Sequence, residues 1–199
     1  MSSVRFCDEL PFAFGWIAPD PGWMQRAAHA VAHDGRVWLL DPIDGDGVDE
    51  RVLALGEPAG VVRMLDRHGR DCEAFAERYG VPLHHVPFGG VTGAPFEVVK
   101  VVDLPRWHEV ALWWPDGRVL ACADVLAGAR RYRGPGERVG VHPWLRVKPP
   151  RVLAQFDVEH LLLGHGEGVH GGEAVPAVQR ALDGARTGIP GFLFGVLRP

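Results

Sequence analysis

The sequence predicts a mixed α/β fold, with sheets packed together and helices outside them, on three observations. Short apolar runs of strand length recur between turns, and two of those turns, His33-Asp34-Gly35-Arg36 and Pro115-Asp116-Gly117-Arg118, carry the Asp-Gly signal of a β-hairpin. Helical stripes separate some of these runs and not others, which excludes a regular strand–helix alternation. The 17 prolines and 26 glycines are spread along the chain, as many short elements joined by turns require.

Each element follows in order. Phe12–Ala18 and Ala27–Leu40 are apolar stretches on either side of the Pro19-Asp20-Pro21-Gly22 turn, and the Asp-Gly signal divides the second into two strands. Val37–Leu40 reads as a buried strand ending at Asp41-Pro42, and Val61–Leu65 as another strand. Residues 71–80 form the clearest helix. Asp71 is its N-cap, Cys72, Phe75, Ala76 and Tyr79 make a stripe at helical spacing, and Gly80 stops it. Pro82–Val86, Phe96–Val102, Val110–Trp114, Val119–Ala123 and His160–Leu163 read as strands. Residues 173–185 form a last helix, with Pro176 tolerated in its first turn.

Composition narrows the function classes. The 199 residues suit one domain spanning 1–199 without an internal linker. A domain of that size buries roughly 70% of its unfolded surface and needs neither disulfide nor structural metal. With 47% hydrophobic and 23% charged residues the composition is that of an ordinary globular protein. A net charge of −4 with only two lysines, Lys100 and Lys148, argues against a nucleic-acid partner. Cys7, Cys72 and Cys122 lack framework spacing and read as reduced thiols. No signal-peptide pattern opens the chain and no apolar run has membrane-spanning length, so a cytoplasmic protein without a membrane partner is expected.

Three apolar strands end abruptly in ionisable residues. Val61–Leu65 runs into Asp66-Arg67-His68-Gly69-Arg70-Asp71, Val119–Ala123 into Asp124, and His160–Leu163 into Gly164-His165-Gly166. Carboxylates and imidazoles grouped at strand ends are material for a divalent-cation site. Elsewhere, His84-His85 lies on a strand that sends one ring inward and one outward, and His29 and His33 belong to an early strand and its turn. Cys72 belongs to the core; Cys122, two residues before Asp124, is the thiol nearest the strand ends. Trp16, Trp23 and Met24 flank the early turn, and the apolar tail Gly188–Leu197 suits packing on the sheet or on a second copy, a homodimer contact.

In the order of these features the chain resembles the metallo-β-lactamase fold superfamily over most of its length. The resemblance rests on the early hairpin, the strand ending at Asp41-Pro42 and the strand–loop–helix at 61–80. It continues through Gly117-Arg118-Val119-Leu120 leading to Asp124, and Gly164-His165-Gly166-Glu167 continuing to Gly168-Val169-His170. It implies a four-layered αββα sandwich and a pocket at the strand ends.

The resemblance also exposes departures in the metal motif. Where the family carries His-x-His-x-Asp-His, this chain has Asp66 at the first His and His68 at the second. Arg70 then replaces the Asp, and Asp71 the last His. His108 stands nearest to the family's separate third His. The implied pocket is Asp66, His68, Arg70, Asp71, His108, Asp124 and His165, with Asp66, His68, Asp124 and His165 as tentative metal ligands. A fixed guanidinium at the second metal's ligand position predicts that this metal is absent, with Arg70 paired to Asp124, Asp71 or both. The altered motif favours a protein that has lost the dinuclear centre and keeps a pocket for a small ligand or protein. The alternative is a hydrolase of an ester, thioester, amide or phosphoester using one divalent ion, zinc by its donor set.

Overall fold

The computed structural model describes residues 3–19, 24–134 and 136–186. The Pro19–Gly22 turn beyond Pro19, Trp23 and the Gly188–Leu197 tail, with its expected homodimer contact, lie outside the described residues.

The first sheet runs β1 (Arg5–Leu10), β2 (Ala13–Ile17), β3 (Ala27–His33), β4 (Arg36–Leu40), β5 (Glu57–Arg63) and β6 (Leu83–His85), in that spatial order. Its first four strands are antiparallel. The β3–β4 hairpin closes on Asp34 and Gly35, both at positive φ (50° and 74°), the geometry for which Asp-Gly is suited. From β4 to β5 and β6 the pairing is parallel, so helices must carry the chain back. These are α1 (Val48–Leu55) and α2 (Cys72–Tyr79). Cys72 and Phe75 point α2 into the core, and Gly80 ends it in the left-handed conformation. Asp71 precedes α2, but its side chain makes no cap bond there; its Oδ2 accepts from the Asp44 amide instead.

The second sheet has the order β13 (Val169–His170), β12 (His160–Leu163), β9 (Val119–Cys122), β8 (Trp107–Trp114) and β7 (Glu97–Leu104). A short pair, β10 (Leu126–Ala127) and β11 (Gly140–Val141), follows the site. Helix α3 (Ala174–Gly184) packs outside, burying Ala174, Ala177, Val178, Ala181 and Leu182. One apolar cluster fills the space between the sheets and beneath α3, from Trp38 and Val62 to Leu112, Leu120, Leu162 and Val178. A second fills the space between the first sheet and α1 and α2, around Trp16, Leu39, Val52 and Phe75. The layers are thus helix, sheet, sheet, helix, the αββα sandwich expected. Among the described residues no helix is long and apolar enough to cross a membrane.

The topology fixes where chemistry can gather. β4 and β5 are parallel, and so are β9 and β12; their C-terminal ends meet at one rim. Two isolated bridges, Arg26 with His165 and Leu65 with Glu109, stitch the sheets together there.

Candidate metal centre

At this rim β5 delivers the Asp66–Asp71 loop, β9 delivers Asp124 and β12 delivers His165. His68 Nε2 lies 3.2 Å from Asp124 Oδ1, and His165 Nε2 lies 3.0 Å from the same oxygen. Among the described residues these two histidines and one carboxylate form the group whose ligand atoms converge, all within 4.8 Å of one another. All three are buried.

The outer nitrogen of each ring is committed. His165 Nδ1 lies 2.8 Å from the Met24 carbonyl, which can only accept, so Nδ1 carries the proton. His68 Nδ1 lies 2.8 Å from Asp41 Oδ2, and Asp41 is itself held by the Met64 amide donating to Oδ1. A neutral ring therefore turns its Nε2 lone pair towards Asp124. Lone pairs from two imidazoles and one carboxylate cannot face one another without a cation between them. Two extra protons or one divalent ion satisfy the arrangement with the same added charge. Asp124 Oδ1 is otherwise a buried oxygen without a hydrogen-bond partner. Ligands about 2.0–2.2 Å from a tetrahedral zinc stand about 3.3 Å apart, close to the two separations here. Carboxylate and carbonyl partners on the outer nitrogens also match the way metal-binding histidines are oriented. The residues present fit one ion.

The electrostatics agree. Burial and the Arg70 charge disfavour a second proton on His68, but Asp41 and Asp124 outweigh them and its pKa stands above the ordinary value. Burial acts to raise the Asp124 pKa, yet hydrogen bonding by His165 and His68 holds it well below the carboxylate range.

Arg70 is placed differently from the sequence expectation of a pairing with Asp124 or Asp71. Its guanidinium donates to three backbone carbonyls, those of Ala27, Asp41 (3.0 Å) and Gly164 (3.0 Å). The reason is local: these oxygens lie at the ends of β3, β4 and β12, where the ladders run out, and a planar five-donor group reaches all three, the Gly164 oxygen accepting from the Ala27 amide as well. Burial lowers its pKa, against the through-space pull of Asp41 and Asp124. Arg70 Nη2 stands 3.5 Å from His68 Nε2, so a fixed cation borders the cluster. Arg70 sits at φ 43° and Asp41 at φ 45°, left-handed conformations that side chains rarely adopt.

Three other expected residues have other partners. Asp66 Oδ2 accepts from the His108 amide at 2.9 Å, and its Oδ1 is buried without a partner. The His108 ring turns to Asp103, 3.0 Å away, on an exposed edge. Asp71 faces the Asp44 amide. None of the three belongs to the converging ligand group.

Residues that sequence reasoning missed complete the site. Asp41 orients His68. Glu109 on β8 is fully buried; its Oε1 accepts from the amides of Asp124 (2.7 Å) and Val125 (2.8 Å), and its Oε2 from Trp107 Nε1 (2.9 Å). Burial and the Asp124 charge push its pKa up to about 8, against the pull of those three donors. A lone acid within the apolar Val110–Trp114 run's leading edge was the available signal. Arg67 reaches from the face of Trp107, 4.6 Å from the ring centroid, to 3.6 Å from Asp124 Oδ2. Cys72 and Cys122 are buried, with burial pushing Cys72 up to about 12 and Cys122 well above its ordinary value, so neither is a thiolate at neutral pH.

Fold and rim together define a sandwich of the metallo-β-lactamase type with a His68, Asp124 and His165 group at its strand ends. The structure of DIM-1 metallo-beta-lactamase superposes with a TM-score of 0.64 at 12% identity, covering 94% of this chain and 97% of that one. DIM-1 exposed to ceftazidime gives 0.62 at 12% identity, over 93% and 97%. TMB-1 gives 0.59 at 10% identity, over 93% and 99%. No protein-family model matches the sequence, and no curated protein does. The chain therefore has the metallo-β-lactamase fold, at identities that speak for the fold alone.

Proposed function

We propose that this protein is a single-metal hydrolase of the metallo-β-lactamase fold, acting on a small-molecule ester, thioester, amide or phosphoester. One divalent ion, zinc by its donor set, is held by His68 Nε2, Asp124 Oδ1 and His165 Nε2. Arg70 takes the place of a second ion. The observation that carries this reading is the set of facing lone pairs around Asp124 Oδ1, fixed by the outer-nitrogen bonds to Asp41 and Met24.

A bound ion would supply Lewis acidity at the rim. The chain's own residues do the rest. Asp41 and the Met24 carbonyl hold the rings in the ligating tautomer. Glu109 fixes the backbone at Asp124 and Val125. Arg67, 40% exposed in its side chain, presents positive charge at the open side of the cluster, where an anionic part of a substrate can pair with it.

Zinc titration of protein purified without chelators tests this, followed by assay on a panel of nitrophenyl esters, thioesters and phosphoesters. One equivalent should bind, raise the melting temperature, and be lost in His68→Ala and Asp124→Ala. Affinity should fall as pH drops from 8 to 6, because protons compete for the same lone pairs. A protein that binds no zinc at neutral pH would instead leave the metal-free ligand pocket as the reading.

A further inference from the structure

An aromatic wall leads from the metal centre to solvent. Tyr132 packs on His165 with ring centroids 5.3 Å apart. His142 packs on Tyr132 at 5.7 Å and on Trp107 at 4.7 Å. Trp144 closes the series, 5.7 Å from His142 and 6.1 Å from Trp107. Its first members are buried or half-buried, but Trp144 is 75% exposed. A tryptophan this open has forfeited most of the burial that usually accounts for the residue. Its amide is tied to His142 Nδ1, so the Pro143–Leu145 turn that carries it is anchored to the wall.

Arg67 stands at the same mouth, between the Trp107 face and Asp124. An ion shared with Asp124 would draw on the carboxylate charge that now faces Arg67, leaving the guanidinium in need of another anion. His142 adds no second positive charge for that anion at neutral pH, since burial pushes its pKa down to about 4.

We propose that this mouth is a recognition subsite for a planar aromatic anion, whose ring lies against Trp144 and His142 and whose carboxylate pairs with Arg67. The inference rests on the single-metal reading for the position of the scissile bond, which would lie inward of the carboxylate towards His165. Trp144 and Arg67 are then specificity-determining residues, the first reading a flat apolar body and the second its charge.

Calorimetry on the zinc-loaded full chain tests the subsite with 1-naphthoate, the neutral isostere 1-naphthamide, and acetate. Naphthoate should bind at least tenfold more tightly than either other probe. Trp144→Ala should weaken naphthoate about fivefold to tenfold, in line with the loss of an aromatic contact, and leave acetate unchanged. Arg67→Gln should abolish the preference for naphthoate over naphthamide. Equal binding of naphthoate and naphthamide to the unaltered protein would overturn the proposal. So would unchanged naphthoate affinity in Trp144→Ala, or a preference that survives Arg67→Gln, which would put the carboxylate on the metal. Zinc content, measured on the same samples, separates this failure from that of the metal reading: Trp144→Ala should retain its one equivalent, and a zinc-free protein that still prefers naphthoate would sink the metal reading and keep the subsite.

Discussion

Replacing Arg70 with alanine removes one side chain and takes a charged donor from three carbonyls, of which that of Gly164 keeps the Ala27 amide. Those of Ala27, Asp41 and Gly164 lie at the ends of β3, β4 and β12, so the guanidinium joins the two sheets beside the Ala27–Gly164 backbone bond and the Arg26–His165 bridge. A hydrogen bond to a charged group is worth about 1.5–3 kcal/mol, and three sharing one group do not add fully. Leaving the Ala27 and Asp41 carbonyls unsatisfied adds about 1–3 kcal/mol each, which puts the whole substitution at about 3–5 kcal/mol. At roughly 2–4 °C per kcal/mol for a domain of this size, the melting temperature should fall by roughly 6–20 °C. Thermal unfolding followed by circular dichroism measures it, with Arg70→Lys as control, since one ammonium cannot span three carbonyls in a plane. Both variants should be destabilised, alanine more. A melting temperature within a degree of the unaltered protein would refute the role of Arg70 as a tie between the sheets.

Other outcomes follow from the same geometry. Asp8, almost fully buried, accepts from His29 and His170 at 3.0 Å each and from the Gly168 amide at 2.9 Å, latching β1 to β13 across the sandwich. Burial acts to raise its pKa, but the two imidazoles prevail and hold it well below the ordinary value. A depressed carboxylate contributes stability that is present above its unfolded value and lost as pH falls through the folded one. Acid unfolding should therefore steepen below about pH 4, and Asp8→Asn should lower stability at pH 7 by about 2 kcal/mol while flattening that dependence. Glu109→Ala should cost about 2–4 kcal/mol by orphaning the Asp124 and Val125 amides and the Trp107 indole. Glu109→Gln should cost less, since one oxygen can still accept from both amides; equal losses in a denaturant titration would contradict that division.

Much of the scaffold was legible because its signals are local. The Asp-Gly turns lie where the β3–β4 and β8–β9 hairpins close, β12 spans the predicted His160–Leu163, and Gly80 stops α2. Helix α1 was not legible, since only Val48 and Val52 of its eight residues are fully buried and its stripe is faint. Strand β1 alternates exposed and half-buried positions around Cys7 and gives no apolar run. At the site, His68, Asp124 and His165 were legible as ionisable residues that end apolar strands, and they converge. Asp66, Asp71 and His108 share that signature but answer to nearby amides or to Asp103, a local demand that sequence order does not display. Asp41, Glu109, Arg67 and Trp144 act through neighbours distant in the chain, which only the pairing of strand ends brings together.

One ion beside one guanidinium is the arrangement expected at the rim. Anomalous scattering at the zinc edge from a crystal grown with excess zinc shows it directly. The expected map has a single peak within bonding distance of His68 Nε2, Asp124 Oδ1 and His165 Nε2, with Arg70 still on its three carbonyls. A second peak displacing the guanidinium, or no peak at the histidines, would contradict it.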